Sequence, residues 1–460
     1  MTRNFFLLAA ASVLLSFTSC SNPDGPGKEC PDSLELRTRP FPDFGFMPGS
    51  VPAGTPVFKL RQDYPATMPD TTKLPDFFKI DFKKDWKQYL LEVQKYCFEG
   101  NTGAVEFRVE NNRARNWYHM PWQHYGSNGR EGIHGLTREA GIKKYQLASE
   151  QTYANSGAWA VGFYNELGGW TIGQVWQDRF NPDVSKMAGG FKNGTVLFKL
   201  LFISVPADSL PAQVPSLVNP VQWDAYVAPV FNNPYDNRAI MKVTLLQMDI
   251  MVRDDRAPAG WVFGNYQYNG KMAKSDPYYN LVPVGVMWGN DPMDTSNTYT
   301  TTSFPAAPYY KTNINPNLKE QIINPDTNEL PPTHLGWNGR LNGPLDYNYS
   351  SCYSCHSTAQ SPQVVPLNPN FSSSTPYSPG SAQWMQWFRN LKCGEAFSPG
   401  EALSTDFSLQ MSGALQNFYT WRDYQDGLFA KNYPSADSGV RMMKNHEGKQ
   451  KKVFPIQRGE

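Results

Sequence analysis

The sequence predicts an α+β protein, with a β-rich, antiparallel, sandwich-like N-terminal domain followed by a mostly α-helical C-terminal segment. Segments rich in β-branched and aromatic residues follow one another without intervening helices, which favours antiparallel pairing. Helical spacing of apolar residues returns only after residue 350. Aromatic residues reach 14%, and 38 prolines and 36 glycines accompany them, which is typical of a loop-rich β protein.

The length and charge of the chain bound its organisation and its partners. With 460 residues, the chain is too long for one ordinary core, and two or three domains are expected. Lysine and arginine number 42, and aspartate and glutamate number 41. This near-neutral balance gives no indication of a nucleic-acid partner.

The first twenty residues have the pattern of an export signal. Arg3 precedes the apolar run FFLLAAASVLLSF at 5–17, which is short for a permanent membrane anchor. Thr18-Ser19-Cys20 follows, and small residues before a cysteine resemble a bacterial lipoprotein signal. Phe17 departs from that pattern, which usually has leucine there.

This resemblance implies that residues 1–20 form a lipoprotein signal peptide and that Cys20 becomes the lipidated N-terminus. A plain secretory signal is the alternative. The chain is therefore expected at the bacterial cell envelope, attached to the membrane through a lipid anchor and facing the periplasm or the exterior. No later stretch is apolar enough to span a membrane.

The body of the chain divides by composition. Residues 21–75 are rich in Pro, Gly, Asp and Ser and are predicted to be a tether followed by an irregular segment. The β-rich domain is predicted over 76–345 and begins with a helix over 82–98. Its strands are predicted at 103–110, 158–164, 171–176, 195–205, 240–254, 261–268 and 280–288.

The C-terminal segment is predicted over 346–430 and shows two apolar stripes at helical spacing. The short stripe consists of Trp384, Trp387, Phe388 and Leu391. The longer stripe consists of Phe407, Met411, Ala414, Leu415, Phe418 and Trp421, with Ser404-Thr405-Asp406 as its predicted N-cap. Residues 431–460 are charged and are predicted to be a loose tail.

The segment SSCYSCHST at 350–358 holds the motif that suggests a function. A c-type haem has two vinyl groups, and each forms a thioether bond with a cysteine thiol. Cysteines three positions apart lie on the same side of a helical turn, so Cys352 and Cys355 can both reach the haem edge. The next residue, His356, can then bind the iron from one face.

A chance match, a zinc site and a redox dithiol each account for the motif less well. With six cysteines and six histidines in the chain, chance produces the motif on the order of once in a thousand such chains. A structural zinc site usually has a second ligand pair at similar spacing, and the sequence offers none. A thioredoxin-like dithiol usually lies in a βαβ unit, which the surrounding pattern does not predict.

The motif resembles the attachment site of c-type cytochromes, over about residues 345–430. This resemblance implies one covalent haem c, with Cys352 and Cys355 as thioether residues and His356 as the proximal iron ligand. Further phrases are similar to those of a group of large bacterial haem c proteins, in which a β-rich domain joins a cytochrome c-like segment. These phrases are WYHMPW (117–122), GREGIHGLTRE (129–139), WAVGFYNELGG (159–169), NGRLNGPLD (338–346) and SCYSCHSTAQ (351–360).

The sixth iron ligand decides whether such a haem is a closed electron carrier or is open to small molecules. Met385 is the predicted sixth ligand, because it lies between the motif and the last helix and is offset from the neighbouring apolar stripe. Core packing is the alternative for Met385. Met411 lies on an apolar stripe and is interpreted as core packing.

Three histidines and three arginines are the other candidates for contact with haem. The histidines are interpreted as buried hydrogen-bonded groups, with haem contact and a metal site as alternatives. The arginines suit haem propionates or ordinary ion pairs. These residues are His119, His124, His134, Arg115, Arg130 and Arg138.

The remaining features give less information. Cys30, Cys97 and Cys393 allow one disulfide in an exported protein, and the sequence does not select the pair. Asp249 and Asp254-Asp255 lie in or at the end of a predicted strand and are interpreted as edge or turn residues. Motifs for nucleotide binding or hydrolysis are missing from the sequence.

These features predict a membrane-tethered monohaem c-type cytochrome that transfers single electrons outside the cytoplasm, with an unidentified redox protein as partner. A haem c enzyme, either a peroxidase or another oxidoreductase, is one alternative, in which the β-rich domain builds a substrate pocket. A ligand-binding lipoprotein is another, suggested by the aromatic pairs Tyr278-Tyr279 and Tyr309-Tyr310.

Overall fold

The longest strand, Ala239–Arg253, lies inside an eight-stranded antiparallel sheet and pairs with neighbours along both edges. Side chains on this sheet alternate between two faces, and one face carries the cavity described below. The computed structural model describes residues 54, 55, 57–123, 130–148, 150–152, 157–179, 181–204, 213–227, 238–295, 311–318, 335–371 and 377–432.

Four α-helices and ten strands are defined within these residues, together with several short 3-10 turns. The helices are α1 Trp86–Phe98, α2 Glu166–Val175, α3 Cys352–His356 and α4 Leu409–Asn432. The strands are β1 Thr137–Gly141, β2 Gly157–Tyr164, β3 Val196–Ile203, β4 Gln222–Val227, β5 Ala239–Arg253, β6 Trp261–Tyr268, β7 Leu281–Met287, β8 Thr312–Ile314, β9 Gln360–Ser361 and β10 Leu403–Ser404.

The large sheet has the strand order β1-β2-β3-β5-β6-β7-β8, and β4 also pairs with β5. Thr244 of β5 is opposite Ile203 of β3 on one side and Gln222 of β4 on the other. Because the second half of β5 pairs with β6, β4 and β6 follow each other along the same edge of β5. All of these pairings are antiparallel, as the sequence predicts.

Two hydrophobic cores cover the two faces of this sheet. On one face, Phe198, Met248 and Tyr266 pack in a large aromatic core that includes residues of α1. The Tyr266 hydroxyl donates to the Leu90 carbonyl of α1 at 2.6 Å. On the opposite face, side chains such as Phe263 pack with residues of α2, α3 and α4.

The sandwich-like arrangement predicted from the sequence differs from what the described strands form. They lie in one large sheet, and the second sheet consists only of the short pair β9 and β10. All eight residues of β6 are buried, because helices and irregular segments cover both faces. A sheet that is covered in this way needs no second large sheet to bury its apolar residues.

Five predicted strands are confirmed, at 158–164, 195–205, 240–254, 261–268 and 280–288, and they correspond to β2, β3, β5, β6 and β7. The predicted helix at 82–98 is confirmed as α1, which begins at Trp86. The short strands β1, β4 and β8 were not predicted: β1 and β8 lack apolar alternation, whereas β4 alternates over only six residues.

The strand predicted at 171–176 is wrong, because this segment lies mostly in helix α2. The Asn165 side chain caps the helix by accepting from the Gly168 amide at 3.2 Å. Gly169 permits close packing, since a Cβ atom there would lie 2.5 Å from the Tyr118 ring. The cap and the two glycines therefore outweigh the strand-like residues that follow them.

The strand predicted at 103–110 is also wrong. The 3-10 turns Gly103–Val105 and Val109–Asn111 occupy this segment, and Glu106 and Phe107 between them have positive φ angles of 46° and 56°. The turns bring the Phe107 ring into the core. Burial of a large aromatic ring outweighs the local alternation that predicted a strand.

The C-terminal segment contains α3, α4 and a 3-10 turn at Trp384–Gln386, joined by irregular chain and the β9–β10 pair, so the predicted mostly α-helical segment is not what the described residues form. Helix α4 begins later than the predicted N-cap at 404–406. Ser408 caps it instead, since the Met411 amide donates to Ser408 Oγ at 3.1 Å. Together with the large antiparallel sheet, these helices make the described chain α+β.

All described residues lie in one compact unit, Pro40–Glu460, and the predicted domain boundary at 345/346 falls inside it. Among the helices that the structure describes, none has both the length and the apolar character needed to cross a bilayer. The predicted signal peptide, Cys20 and the tail from 433 onward lie outside the described residues.

Candidate functional site

The C-x-x-C-H motif forms the short helix α3, and hydrogen bonds fix its start. Ser351 Oγ accepts from the Ser354 amide at 2.9 Å, and the Ser351 amide donates to Ser354 Oγ at 2.7 Å. This reciprocal capping box satisfies two backbone donors that the helix would otherwise leave unpaired. The Cys352 amide also donates to the Leu341 carbonyl at 3.0 Å, which ties the helix to the preceding loop.

Tyr353 anchors α3 in the core. Its ring is fully buried, it packs against Phe263 and Phe407, and its hydroxyl donates to the Leu391 carbonyl. Because Tyr353 occupies the core side of the turn, the remaining motif residues are only partly buried. These residues are Cys352, Cys355 and His356, and all three line one cavity.

The His356 imidazole is oriented by a backbone group. Its Nδ1 lies 2.8 Å from the carbonyl oxygen of Phe407. A carbonyl can only accept, so Nδ1 carries the proton in the neutral imidazole and Nε2 carries the lone pair. This tautomer is the one in which Nε2 can bind a metal ion while Nδ1–H is held by a second group.

The two motif thiols are free and protonated. Neither forms a disulfide, and Cys352 Sγ donates to Asn342 Oδ1 at 3.7 Å. Burial, followed by the nearby Asp346 charge, raises the pKa of the Cys355 thiol to about 12. The same causes, with Asp249, raise the pKa of the Cys352 thiol well above its usual value.

A cavity of about 120 Å³ lies between the sheet and the C-terminal segment. Apolar side chains such as Leu201, Phe263, Leu345 and Leu367 form much of its wall. The cavity therefore offers an apolar surface beside the motif.

The sheet contributes the cavity floor through three neighbouring strands. One row across these strands is apolar, with Met251 of β5 opposite both Leu197 and Phe263. The next row is polar, with Asp249 of β5 opposite both Lys199 and Asn265. Because side chains alternate between faces, both rows point to the same side of the sheet as the motif.

Two carboxyl groups meet at this polar row. Gln247 Nε2 donates to Asp249 Oδ1 at 2.9 Å and to Asp346 Oδ2 at 2.9 Å. Asn265 Nδ2 also donates to Asp249 Oδ1, and the Gly343 amide donates to Asp346 Oδ2 at 3.0 Å. Burial, followed by the charge of Asp346, raises the pKa of Asp249 to about 7, and burial also raises the pKa of Asp346.

The interpretation of Asp249 as an edge or turn residue is wrong. It lies inside β5, where β3 and β6 pair on both sides. Sequence reasoning also missed Lys199 and Asp346 as residues of the site. The available signal was the charged residue in the middle of two strongly apolar strands, Lys199 in β3 and Asp249 in β5. Such residues are rarely buried without a partner or a function.

Met385 does not join the motif residues on the cavity wall. It lies in the 3-10 turn Trp384–Gln386 and packs, partly buried, against the second core, and it is not among the described residues that line the cavity. Its role as sixth ligand stays a prediction from the sequence. Met411 is fully buried in the same core, in agreement with its interpretation as packing.

The described histidines near residue 120 are held by backbone groups and are not among the described residues that line the cavity. His119 is buried, and its Nδ1 accepts from the Arg61 amide at 2.9 Å. His134 stacks on Trp223, and its Nδ1 lies 3.0 Å from the Asp224 carbonyl. Burial lowers the pKa of both imidazoles, that of His134 to about 4. His124 lies outside the described residues.

The arginines considered for haem propionates do not line the described cavity wall. Arg115 pairs with Glu99 at the surface. Arg130 is buried and donates to the carbonyls of Gly135 and Met120, each at 2.8 Å. Arg138 belongs to strand β1.

The structure also describes some of the remaining cysteines and of the aromatic pairs. Cys97 and Cys393 are both free thiols, and Cys30 lies outside the described residues. Tyr278 is buried, and its hydroxyl accepts from Trp223 Nε1 at 2.8 Å, so it is a core residue. Tyr309 and Tyr310 lie outside the described residues.

Comparisons with known proteins add no assignment to this site. No protein-family model, no curated protein and no solved structure matches the chain. Among the described residues, no group of three or more His, Cys, Asp or Glu side chains is arranged to hold a metal ion.

Proposed function

We propose that this chain carries one covalent haem c at Cys352 and Cys355 and transfers single electrons outside the cytoplasm. The observation that carries the proposal is that both thiols and the His356 imidazole line the same mainly apolar cavity. The sequence motif requires these three groups to reach one ligand. The fold brings all three to the wall of one cavity.

The state of the thiols supports haem attachment over a reactive dithiol. A thioredoxin-like site needs a lowered thiol pKa, which positive neighbours supply. Here burial and negative neighbours raise the pKa of Cys352 and of Cys355. In the proposed attachment, each Sγ–H adds across one vinyl C=C bond, which forms a thioether and releases nothing.

The hydrogen bond of His356 supports its role as the proximal ligand. Donation from Nδ1–H to the Phe407 carbonyl at 2.8 Å fixes the ring and makes Nε2 more basic. When bound, the haem supplies a one-electron couple whose potential depends on its axial ligands and its burial. The apolar part of the wall would lower the polarity around such a group, which favours the less charged, reduced state.

The location and the partner in this proposal come from the sequence. The export signal implies that the chain acts at the bacterial cell envelope, where Cys20 carries a lipid anchor to the membrane and a redox protein is the partner. Residues 346–430 are the haem-bearing, cytochrome c-like segment in this proposal. In this proposal, strands β3, β5 and β6 of the β-rich domain form the floor of the cavity. The large sheet would then serve to enclose the haem.

A haem c enzyme is the second candidate, and one observation favours it. Lys199, Asp249 and Asp346 bring ionisable groups into the cavity, and a simple electron carrier does not need them. Such groups can exchange protons with a substrate bound near the iron. An open iron site would then be required, in place of a sixth ligand from the protein.

Spectroscopy of the purified protein separates these functions. The protein would be produced with the c-type haem maturation machinery and its spectrum recorded in the oxidised and reduced states. Low-spin spectra that cyanide and peroxide leave unchanged, with fast electron exchange, are expected for the carrier. A high-spin spectrum that shifts with either ligand would support the enzyme, and a protein without haem would refute both.

A further inference from the structure

The polar row on the cavity floor is unusual for its position. Lys199, Asp249 and Asn265 stand opposite one another on three adjacent strands, beside an apolar row that includes Met251 and a row that includes Gln247. Asp249 and Asp346 are both partly buried, and both line the cavity together with the motif. The Gln247 amide lies between them and donates to both, each at 2.9 Å.

The charges around this pair do not balance. Among the described residues of the cavity wall, three carboxyl groups face one lysine. Lys199 is already 3.2 Å from Glu139, so it offsets at most one of the three. Two ionised carboxylates in a space of low dielectric repel each other strongly, and the usual outcome is that one of them keeps a proton.

The remaining titratable groups that face the pair are unsuited to exchange this proton. The Cys352 and Cys355 thiols are consumed by thioether formation in the proposed function. His356 is held at Nδ1 by the Phe407 carbonyl. The hydroxyls of Tyr164 and Tyr347 line the same cavity, but phenols ionise far above neutral pH.

We propose that Asp249 and Asp346 together bind one exchangeable proton, and that the protein takes up this proton when the haem is reduced. One electron comes from an external one-electron donor, and one proton from solvent forms an O–H bond on a carboxylate oxygen of the pair. Oxidation reverses both transfers. This inference rests on the proposed function, because it requires a haem at the motif.

The physical reason is electrostatic. An electron added in the cavity makes the ionised carboxylate less favourable, which raises its proton affinity. The pKa of Asp249 is already raised to about 7 by burial and by Asp346, so this increase falls in the neutral range. The pair therefore converts electron transfer into coupled transfer of an electron and a proton.

Potentiometric titration of the haem protein between about pH 5 and pH 9 tests the inference. In the wild type, the potential is expected to fall as pH rises, with a slope that approaches one proton per electron. A tenfold change in proton concentration then corresponds to about 59 mV for a one-electron couple. The variant Asp249→Asn with Asp346→Asn is expected to have a nearly constant potential over this range.

Two controls make the result specific to the pair. Asp85→Asn changes an exposed carboxylate at the start of α1 and should keep the wild-type slope. Infrared difference spectra, reduced minus oxidised, should show a new protonated-carboxyl band in the wild type. The band should shift in D₂O and disappear in Asp249→Asn or in Asp346→Asn, so either single variant suffices if the double variant does not fold.

The outcomes distinguish this inference from the proposed function. If haem is attached but the wild-type potential does not change with pH, the proton site alone is overturned. The same holds if the potential changes with pH by the same slope in the wild type and in the double variant. Absence of covalent haem from the wild type would overturn the proposed function and the coupling with it. If haem is covalently attached, and if the pH slope of the potential and the carboxyl band both depend on Asp249 and Asp346, the inference is supported.

Discussion

The orientation of one imidazole governs what the C-x-x-C-H motif can bind. The Phe407 carbonyl selects the tautomer of His356 in which Nε2 carries the lone pair. Tyr353 is buried beneath the same turn and turns the two thiols toward the cavity. The directions of the two thiols and the imidazole are therefore fixed by the buried Tyr353 within the motif and by the Phe407 carbonyl outside it.

Single cysteine variants test the two thioether bonds. Cys352→Ala and Cys355→Ala should each keep at most one bond to haem, and one vinyl group then stays conjugated with the ring. The absorption band of the reduced, denatured haem is therefore expected at longer wavelength than in the wild type. Cys393→Ala, which removes a cysteine outside the motif, should leave this band unchanged; a shift there would argue against the assignment.

The pH dependence of stability tests the carboxyl pair independently of its redox role. The pKa of Asp249 is raised from 3.8 to about 7 in the folded state, so between these values the folded state binds more protons than the unfolded state. The contribution of Asp249 to the free energy of unfolding should then fall as pH rises through this window, whereas the buried His119 and His134, with lowered pKa values, contribute in the opposite direction. Asp249→Asn should remove the Asp249 contribution and be more stable than the wild type at pH 8, by on the order of 1–3 kcal/mol.

Urea unfolding of the purified protein at several pH values measures this effect. Asp85→Asn is the matched control, because its carboxylate is exposed, and its curve should follow the wild type. A stability difference between Asp249→Asn and the wild type that does not grow with pH across the same window would contradict the raised pKa of Asp249.

Helix α4 meets the sheet at one serine. Ser408 Oγ caps the helix through the Met411 amide at 3.1 Å and lies 2.8 Å from the Tyr164 hydroxyl of β2. The same side chain therefore starts the last helix and joins it to the sheet above the cavity. The shape of the cavity depends on this contact between α4 and β2, because residues 408–410 form part of the cavity wall.

Ser408→Ala should lower the free energy of unfolding by about 1–2 kcal/mol, because it removes an N-cap and a buried hydrogen bond. Thr420→Ala is the matched control: its hydroxyl donates to the Gln416 carbonyl in the exposed part of the same helix. Denaturant unfolding should show a change within about 0.5 kcal/mol for the control. Equal losses in both variants would mean that the cap and the contact with Tyr164 contribute no more than an exposed hydroxyl does.

Much of the sheet follows from sequence patterns, and the exceptions have physical causes. The long apolar strands β3, β5 and β6 were predicted because their residue types are decisive over eight or more positions. Helix α2 was missed because its cap, Asn165, and its glycine pair lie before the strand-like residues that misled the prediction. The sandwich-like arrangement was wrong because strand patterns do not reveal what covers the second face of a sheet.

The candidate site was only half predictable. Cys352, Cys355 and His356 were assigned from their spacing, since that spacing is local. Lys199, Asp249 and Asp346 come from distant parts of the chain, and only strand register and the 343–346 loop bring them together. Met385 is the reverse case, because spacing suggested it and the fold places it away from the cavity wall.

The sheet and the C-terminal segment behave as one structure at the scale of the whole molecule. Asp406 is fully buried and accepts from the Phe191 amide at 2.6 Å, Trp261 Nε1 at 3.1 Å and the Gly394 amide at 3.1 Å. One carboxylate thus joins the loop before β3, strand β6 and the C-terminal segment. The two predicted domains are therefore expected to unfold together.

Asp406→Ala should lower the free energy of unfolding of the whole chain by about 2–4 kcal/mol, because it leaves several buried donors without an acceptor. Calorimetry should show a single transition at lower temperature. Asp255→Ala removes an exposed carboxylate that pairs with Arg253 and should cost at most about 1 kcal/mol. Two separate transitions, with only one shifted, would show that the C-terminal segment folds independently.

Mass spectrometry of the peptide that contains residues 350–358 tests directly for covalent haem at the motif. The protein would be produced with the haem maturation machinery, denatured, extracted with acidic solvent and digested. One haem is expected on this peptide, bound through both Cys352 and Cys355. A peptide that carries no haem, with both thiols open to alkylation, would contradict it.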